Sequence, residues 1–199
     1  MKTERFFRPW ELAMLIALCA ACLAAVWASR THMEISDQMI RLHVLAVSDS
    51  DEEQAVKLRV RDAVLEYLRP ALADCGGKSD AAQTLSGALP EVETAARSAA
   101  EGRDVTVTLG EEYYPTRVYD GFSLPAGRYT SLRVTLGEGR GHNWWCVVYP
   151  PLCVTAAEAS EQAIETLNTD TAQIITESDG YVLKFKILEL WGELTEWLG

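Results

Sequence analysis

Residues 40–66, IRLHVLAVSDSDEEQAVKLRVRDAVLE, place a strand, a turn and a helix in direct succession. Apolar and polar side chains alternate over residues 39–46, which predicts a strand with one buried face. The acidic turn that follows offers N-cap oxygens and negative charge for a first helical turn, so a helix should begin near Asp51. Its apolar spacing continues to about Arg69, and Pro70 should end it.

Further helices and then strands follow this unit. Two alanine-rich helices should open at Ser79 and Pro90. From Val105 the apolar period changes to two, which predicts antiparallel strands at Val105–Leu109, Thr116–Tyr119 and Tyr129–Leu136. The mostly apolar run Trp144–Tyr149 should be a central strand. The glycine-rich segment 137–141 has the composition of a hairpin connection between the last two. The chain should close with a polar helix at 155–167, a strand at 181–186 and an amphipathic helix at 187–198.

This element order predicts an α+β fold, in which helices cover one face of a mainly antiparallel sheet. One membrane segment should precede the sheet. Residues 39–199 should form a single exported domain, connected through a linker at 30–38 to an N-terminal signal peptide or signal anchor at 1–29.

The N-terminal segment has the charge pattern of an export signal. Residues 12–28 carry no charged side chain and follow Lys2, Arg5 and Arg8. This pattern predicts insertion into a membrane with the N-terminus in the cytoplasm, so that the chain from residue 30 onward is translocated. The length of the segment fits both a cleaved signal peptide and a retained anchor, and both alternatives stay open.

The net charge of the chain excludes one class of partner. The formal net charge of -11 gives a surface that repels nucleic acid, so we expect no nucleic-acid partner.

Three cysteines follow the export signal and would enter an oxidising compartment. The turn at Pro150–Pro151 can bring Cys146 and Cys153 together, which predicts a disulfide between them and leaves Cys75 unpaired. Two free buried thiols are the alternative.

No sequence pattern predicts a catalytic centre or a cofactor site. Cys146 and His142 are the best nucleophile and base by residue type, but their positions in a strand and a loop keep them apart. The acidic run 48–53 lacks the calcium-loop pattern, and segment 137–141 precedes a strand where a phosphate loop would precede a helix. We therefore predict that the protein is not an enzyme and takes no metal, cofactor or small-molecule substrate.

Two blocks of the sequence resemble the signatures of one family. Residues 40–66 and residues 143–153 (NWWCVVYPPLC) look like the two signature blocks of stage II sporulation protein R, and residues 124–129 (LPAGRY) are similar as well. The resemblance covers most of residues 37–154.

The resemblance implies a protein made in the forespore of an endospore-forming bacterium and exported into the space between the two engulfing membranes. There it would cause a membrane-bound aspartic protease of the mother cell to process the inactive precursor of sigma factor E. The peptidase chemistry would belong to that partner. An exported hydrolase acting on the cell wall and a membrane-tethered structural protein are the rival classes.

The expected binding surface consists of signature positions that should face solvent, namely Arg41, His43, Ser48, Asp49, Lys57, Arg61 and Asp62, with one of Trp144 or Trp145. The two tryptophans should lie on opposite faces of their strand, so that one of them anchors the core. Helix capping and ion pairing are the alternative roles of the charged residues.

Overall fold

The first predicted strand, β1 (Ile40–Leu45), lies inside the main sheet. The computed structural model describes residues 8–119 and 122–151. The other helices and strands of these residues are α1 (Pro9–Ser36), α2 (Asp51–Leu72), α3 (Lys78–Gly87), α4 (Leu89–Ala99), β2 (Val105–Tyr114), β3 (Arg117–Tyr119), β4 (Phe122–Leu124), β5 (Gly127–Leu136) and β6 (Asn143–Tyr149). The elements predicted at 155–167, 181–186 and 187–198 lie outside the described residues.

Four strands form the main sheet in the order β2, β5, β1, β6. β1 pairs with β5 in parallel and with β6 antiparallel, and β2 pairs with β5 antiparallel. β3 and β4 form a separate two-stranded sheet. The predicted α+β class is confirmed, but the sheet is mixed, because three helices separate β1 from β2 and the chain then returns with β5 running in the direction of β1.

The glycine-rich segment 137–141 is not the hairpin connection that was predicted. It leaves β5, crosses the end of β1 and reaches β6, because β1 lies between those two strands. The Gly141 N–H donates to the Ala46 carbonyl oxygen at 2.9 Å, and a Cβ atom at Gly141 would lie 2.3 Å from the Ser48 carbonyl oxygen. The crossing therefore requires glycine at this position, because two backbones approach each other closely.

Helices α2 and α4 cover one face of the main sheet and form the core with it. The core contains side chains at alternate positions of the strands and along one side of the helices, among them Leu42, Val44, Val56, Val60, Val64, Leu68, Val92, Leu132 and Val134. We call this side of the sheet the helix face. The predicted periodicity of both element types is confirmed.

The predicted start of α2 is confirmed, and its predicted end is wrong. Ser50 Oγ accepts a hydrogen bond from the Glu53 N–H at 3.4 Å, as an N-cap does. The helix continues through Pro70 to Leu72. Pro70 lies in the last turn, where its missing N–H removes one helical hydrogen bond, and burial of Leu72 against the core offsets that cost.

Helix α1 exposes many of its apolar side chains, including Trp10, Leu15 and Leu23, whereas Ile35 near its C-terminal end is fully buried. Residues 30–36 of the expected linker belong to this helix. Among the described residues, no helix combines the length and the hydropathy needed to cross a membrane. The predicted N-terminal membrane segment is therefore not supported.

Candidate functional site

The turn after β1 and the loop before β6 contact each other at one end of the sheet. Asp49 Oδ1 accepts a hydrogen bond from the His142 backbone N–H at 2.6 Å and lies 2.7 Å from His142 Nδ1. Gln54 Nε2 donates to the Ser48 carbonyl oxygen at 2.9 Å and holds the turn from the first turn of α2. The first signature block thus contacts the residue that directly precedes the second block, far away in the sequence.

Lys57 is buried beneath this contact. Its Nζ donates to Gln54 Oε1 at 2.5 Å and to the His142 carbonyl oxygen at 3.0 Å. Burial lowers the pKa of Lys57, the neighbouring Arg61 lowers it further, and Asp49 opposes the shift. The ammonium group therefore connects α2 to the loop before β6 through hydrogen bonds.

Arg61 extends the contact to β6. Its guanidinium lies 4.3 Å from the centre of the Trp144 ring, and its Nη2 lies 2.6 Å from Asp62 Oδ1. Trp144 packs on the helix face of the sheet. We call this assembly the turn cluster, formed by Ser48, Asp49, Lys57, Arg61, Asp62, His142 and Trp144.

The other face of the main sheet contains a buried arginine. Arg41 is 0% exposed, and its guanidinium lies 4.0 Å from the Tyr114 ring centre and 5.1 Å from the Tyr129 ring centre. Arg41 Nη2 donates to the Tyr119 hydroxyl at 2.5 Å. Within the described part of the chain, Nε and Nη1 of Arg41 are buried without a hydrogen-bond partner.

A hydrogen-bonded chain lies beside Arg41. The Tyr114 hydroxyl and Ser131 Oγ are 2.6 Å apart, and Ser131 Oγ donates to Glu112 Oε2 at 2.9 Å. Glu112 Oε1 lies 2.8 Å from His43 Nδ1. His43 Nε2 is buried with no hydrogen-bond partner among the described residues. The chain ends, like Arg41, in an unused polar group.

Trp145 closes this face from the β6 side. Its ring centre lies 5.5 Å from that of His43, and the Arg117 guanidinium lies 3.8 Å from the Trp145 ring. Burial raises the pKa of Tyr114, Tyr119 and Tyr129, and Arg41 opposes each shift. We call this side of the sheet the arginine face, formed by Arg41, His43, Glu112, Tyr114, Tyr119, Tyr129, Ser131 and Trp145.

Comparison with known proteins connects both sites to one family. The family described as Stage II sporulation protein R (spore_II_R) matches residues 36–159, which include the turn cluster and the arginine face. The chain belongs to the stage II sporulation protein R family. Membership supports a role in sporulation. No solved structure matches the chain.

A relative from Bacillus subtilis (strain 168), named Stage II sporulation protein R, is 35% identical over 147 residues. The match covers 72% of this chain and 66% of the relative, so the chain spans about two thirds of the length of that protein.

The expected exposure of the signature residues is only partly correct. Ser48, Asp49 and Asp62 are exposed, and Arg61 is half-buried. Arg41, His43 and Lys57 are buried, so the prediction of solvent exposure was wrong for these three. Arg41 and His43 are covered because the second face of the sheet is also closed, and Lys57 is covered by the loop before β6. A role of any of these residues in partner binding stays a prediction.

The tryptophan prediction is confirmed: Trp144 lies on the helix face and Trp145 on the arginine face, and both are half-buried. The arginine-face members Glu112, Tyr114, Tyr129 and Ser131 were missed. Their signal was the period of two in the strands that became β2 and β5. Alternation placed these side chains opposite the core, but it did not show that they meet Arg41.

The cysteine predictions have different outcomes. Cys75 has a free thiol, as predicted. Cys146 is buried, whereas Cys153 lies outside the described residues, so the disulfide between them stays a prediction. The His142 side chain is 76% exposed and paired with Asp49, which gives no support for a Cys146–His142 catalytic pair. In the described ranges no group of three or more His, Cys, Asp or Glu side chains could hold a metal ion.

Proposed function

We propose that this protein is an exported signalling protein that activates a membrane-bound aspartic protease, which then processes the precursor of sigma factor E during endospore formation. The observation that carries the proposal is the family match over residues 36–159. The protein itself catalyses no reaction in this proposal. The peptide bond is hydrolysed by the partner.

The turn cluster supports a signalling role because it presents both signature blocks on one surface. Its exposed members are Ser48, Asp49, Asp62 and His142, and the half-buried Arg61 and Trp144 lie between α2 and β6. Aromatic and arginine side chains with a polar rim are typical of protein-binding centres. The underlying contacts between Asp49, Lys57 and His142 keep this surface rigid, so little ordering entropy is lost on binding.

Activation follows if the protein binds the active state of the protease more tightly than the inactive state. Differential binding of this kind shifts the population of the partner without covalent chemistry. A shift from mostly inactive to mostly active protease requires a preference of about 10⁴-fold when the starting ratio is 1:99. A surface that combines a buried aromatic anchor with charged neighbours can supply a preference of this size.

Export belongs to the same proposal. The exposed apolar side chains of α1, such as Leu15 and Leu23, are unfavourable in water and are compatible with a segment that is recognised for translocation. After translocation, Cys146 and Cys153 would form a disulfide in the oxidising compartment. Fractionation of cells expressing the chain, followed by thiol labelling without reduction, tests both statements.

Precursor processing in vegetative cells tests the function. The cells express the sigma factor E precursor and its protease, with or without this protein. Processing only in the presence of the protein is expected. No difference, with export of the protein verified, would contradict the proposal and favour an exported hydrolase acting on the cell wall.

Variants at the turn cluster sharpen this test. Arg61→Ala removes the guanidinium that lies on Trp144, so we expect processing to fall while the thermal midpoint stays within a few degrees. Arg59→Ala is the matched control, because Arg59 lies on the same helix and pairs with Glu101 away from Trp144. Equal processing by both variants would exclude Arg61 from the binding surface.

A further inference from the structure

Arg41 is a buried cation without a carboxylate at ion-pair distance among the described residues. Its side chain is fully enclosed, yet Nε and Nη1 have no hydrogen-bond partner there. Arginine is rarely buried unless it is paired, because removal of its charge from water is costly. The rings of Tyr114 and Tyr129 offset part of this cost, but a π face does not replace a hydrogen-bond acceptor. The arginine face therefore contains an unused anion-binding group.

The Tyr119 hydroxyl accepts a hydrogen bond from Nη2 of Arg41, and Nη2 is the nitrogen that both modes of anion binding require. A guanidinium binds a carboxylate through two parallel N–H groups. The side-on pair is Nε with Nη2, and the end-on pair is Nη1 with Nη2. Both pairs need Nη2, which donates to Tyr119 at 2.5 Å. Displacement of one neutral hydroxyl would thus complete either bidentate pair.

We propose that Arg41 receives a carboxylate of the partner protein in place of the Tyr119 hydroxyl. The identity of the partner rests on the proposed function, whereas the anion site rests on the geometry of Arg41. The exchange replaces a neutral acceptor by a charged one and satisfies at least one of the two unused donors. The rings of Tyr114 and Tyr129 lie beside the guanidinium and exclude water, which strengthens the ion pair.

A singly charged carboxylate fits this face better than a phosphate dianion. Glu112 lies in the same cluster and holds His43 Nδ1 at 2.8 Å, with Arg133 Nη1 3.5 Å from the same oxygen. A second negative charge on the ligand would be repelled by Glu112 at low local dielectric. A carboxylate is also planar and can lie in the plane of the guanidinium beside the tyrosine rings.

Acetate titration of the full chain, followed by the NMR signal of the Arg41 Nε–H group, tests the anion site. The signal is assigned by its absence in Arg41→Met. We expect a saturable shift with acetate and none with an equal concentration of chloride. Tyr119→Phe should saturate at about threefold lower acetate or less, because the competing hydroxyl is gone. Arg59→Met is the matched control, because Arg59 lies on α2 on the other side of the sheet and pairs with Glu101, and it should titrate like the unmodified chain.

Three results would overturn the anion site. These are an Arg41 signal that does not respond to acetate, a shift that chloride reproduces, and a Tyr119→Phe variant that binds acetate no more tightly than the parent. A response to inorganic phosphate that saturates before acetate would overturn the choice of carboxylate. The Tyr119→Phe arm keeps the test valid even if Arg41→Met folds poorly.

The processing assay tests whether the carboxylate that binds Arg41 belongs to the protease. Loss of processing in a folded, exported Arg41→Met protein would support the assignment of the carboxylate to the protease. Normal processing by Arg41→Met would overturn that assignment while the acetate result stands. If the unmodified chain fails to support processing but binds acetate at Arg41, the proposed function fails and the anion site does not.

Discussion

The two faces of the main sheet bury different chemistry on the same backbone. On the helix face, Leu42 and Val44 of β1 meet the apolar side chains of α2. On the arginine face, Arg41 and His43 of the same strand are also buried but leave polar atoms without partners among the described residues. Each buried aliphatic side chain contributes about 1.5–3 kcal/mol, whereas each unsatisfied buried group costs about 1–3 kcal/mol.

The two faces therefore have different roles: the helix face stabilises the fold, and the arginine face is available for function. Apolar burial on the helix face stabilises the folded state, and the unsatisfied polar groups of the arginine face destabilise it. Local features that lower stability without an internal compensation are concentrated at functional sites. The contrast between the two faces is therefore the main reason to look for a ligand at Arg41.

The strongest test of the contrast is a cavity on the helix face. Leu132 is fully buried in β5, where it pairs with Leu42 and Leu109. Leu132→Ala should lower the free energy of unfolding by about 3–4 kcal/mol, because the loss combines transfer and cavity terms. Urea unfolding of the full chain measures it. Thr108→Ala, at an exposed position of the neighbouring strand, should change the free energy by less than about 0.5 kcal/mol.

Replacement of the buried cation should change the free energy of unfolding in the opposite direction to Leu132→Ala. Arg41→Met keeps an apolar stem beside the tyrosine rings and removes the unpaired charge. We expect the free energy of unfolding to rise by about 1 kcal/mol or more, since apolar replacement of buried charged groups is often stabilising. The same urea experiment measures this rise. A decrease of more than about 2 kcal/mol would show that Arg41 stabilises the fold and would remove the contrast between the faces.

Alkaline pH should destabilise the arginine face. The folded-state pKa values of Tyr114, Tyr119 and Tyr129 are raised above the ordinary value of 10.0. Below this value both states hold the tyrosine protons and stability is fully present. As the pH rises past it, the unfolded state loses protons first, so stability is lost. Urea unfolding at increasing pH should show a falling free energy above about pH 10. A flat profile would contradict the burial of these hydroxyls.

Local patterns predicted much of the helix face. The strand at β1, the cap at Ser50 and the stripe of α2 each depend on neighbours in the sequence, and each is confirmed. The single buried face expected for β1 is wrong, because all of its residues are buried. The stop at Pro70 failed because packing of Leu72 outweighs a local penalty in the last turn.

The arginine face could not be predicted in the same way. Alternation marks Arg41 as lying opposite the core, and a polar residue there is normally solvent-exposed. Its burial depends on Tyr119 and Tyr129, which come from distant parts of the chain. Parallel pairing of β1 with β5 is equally non-local, so the hairpin expected at residues 137–141 was wrong as well.

The smallest expected effect comes from removing one hydroxyl of the arginine face. Tyr114→Phe keeps the ring over Arg41 and removes the hydrogen bond with Ser131 at 2.6 Å. Near neutral pH the free energy of unfolding should fall by about 1 kcal/mol.

Above pH 10 the variant should lose stability less steeply than the parent, because one group with a raised pKa is absent. The difference between the two proteins should therefore shrink as the pH rises. Contributions that both proteins share, such as that of Lys57, cancel in this difference. If Tyr114→Phe keeps a constant offset from the parent, the Tyr114 hydroxyl does not ionise with the unfolding of this face. The two faces of the sheet would then not differ in their response to pH at this position.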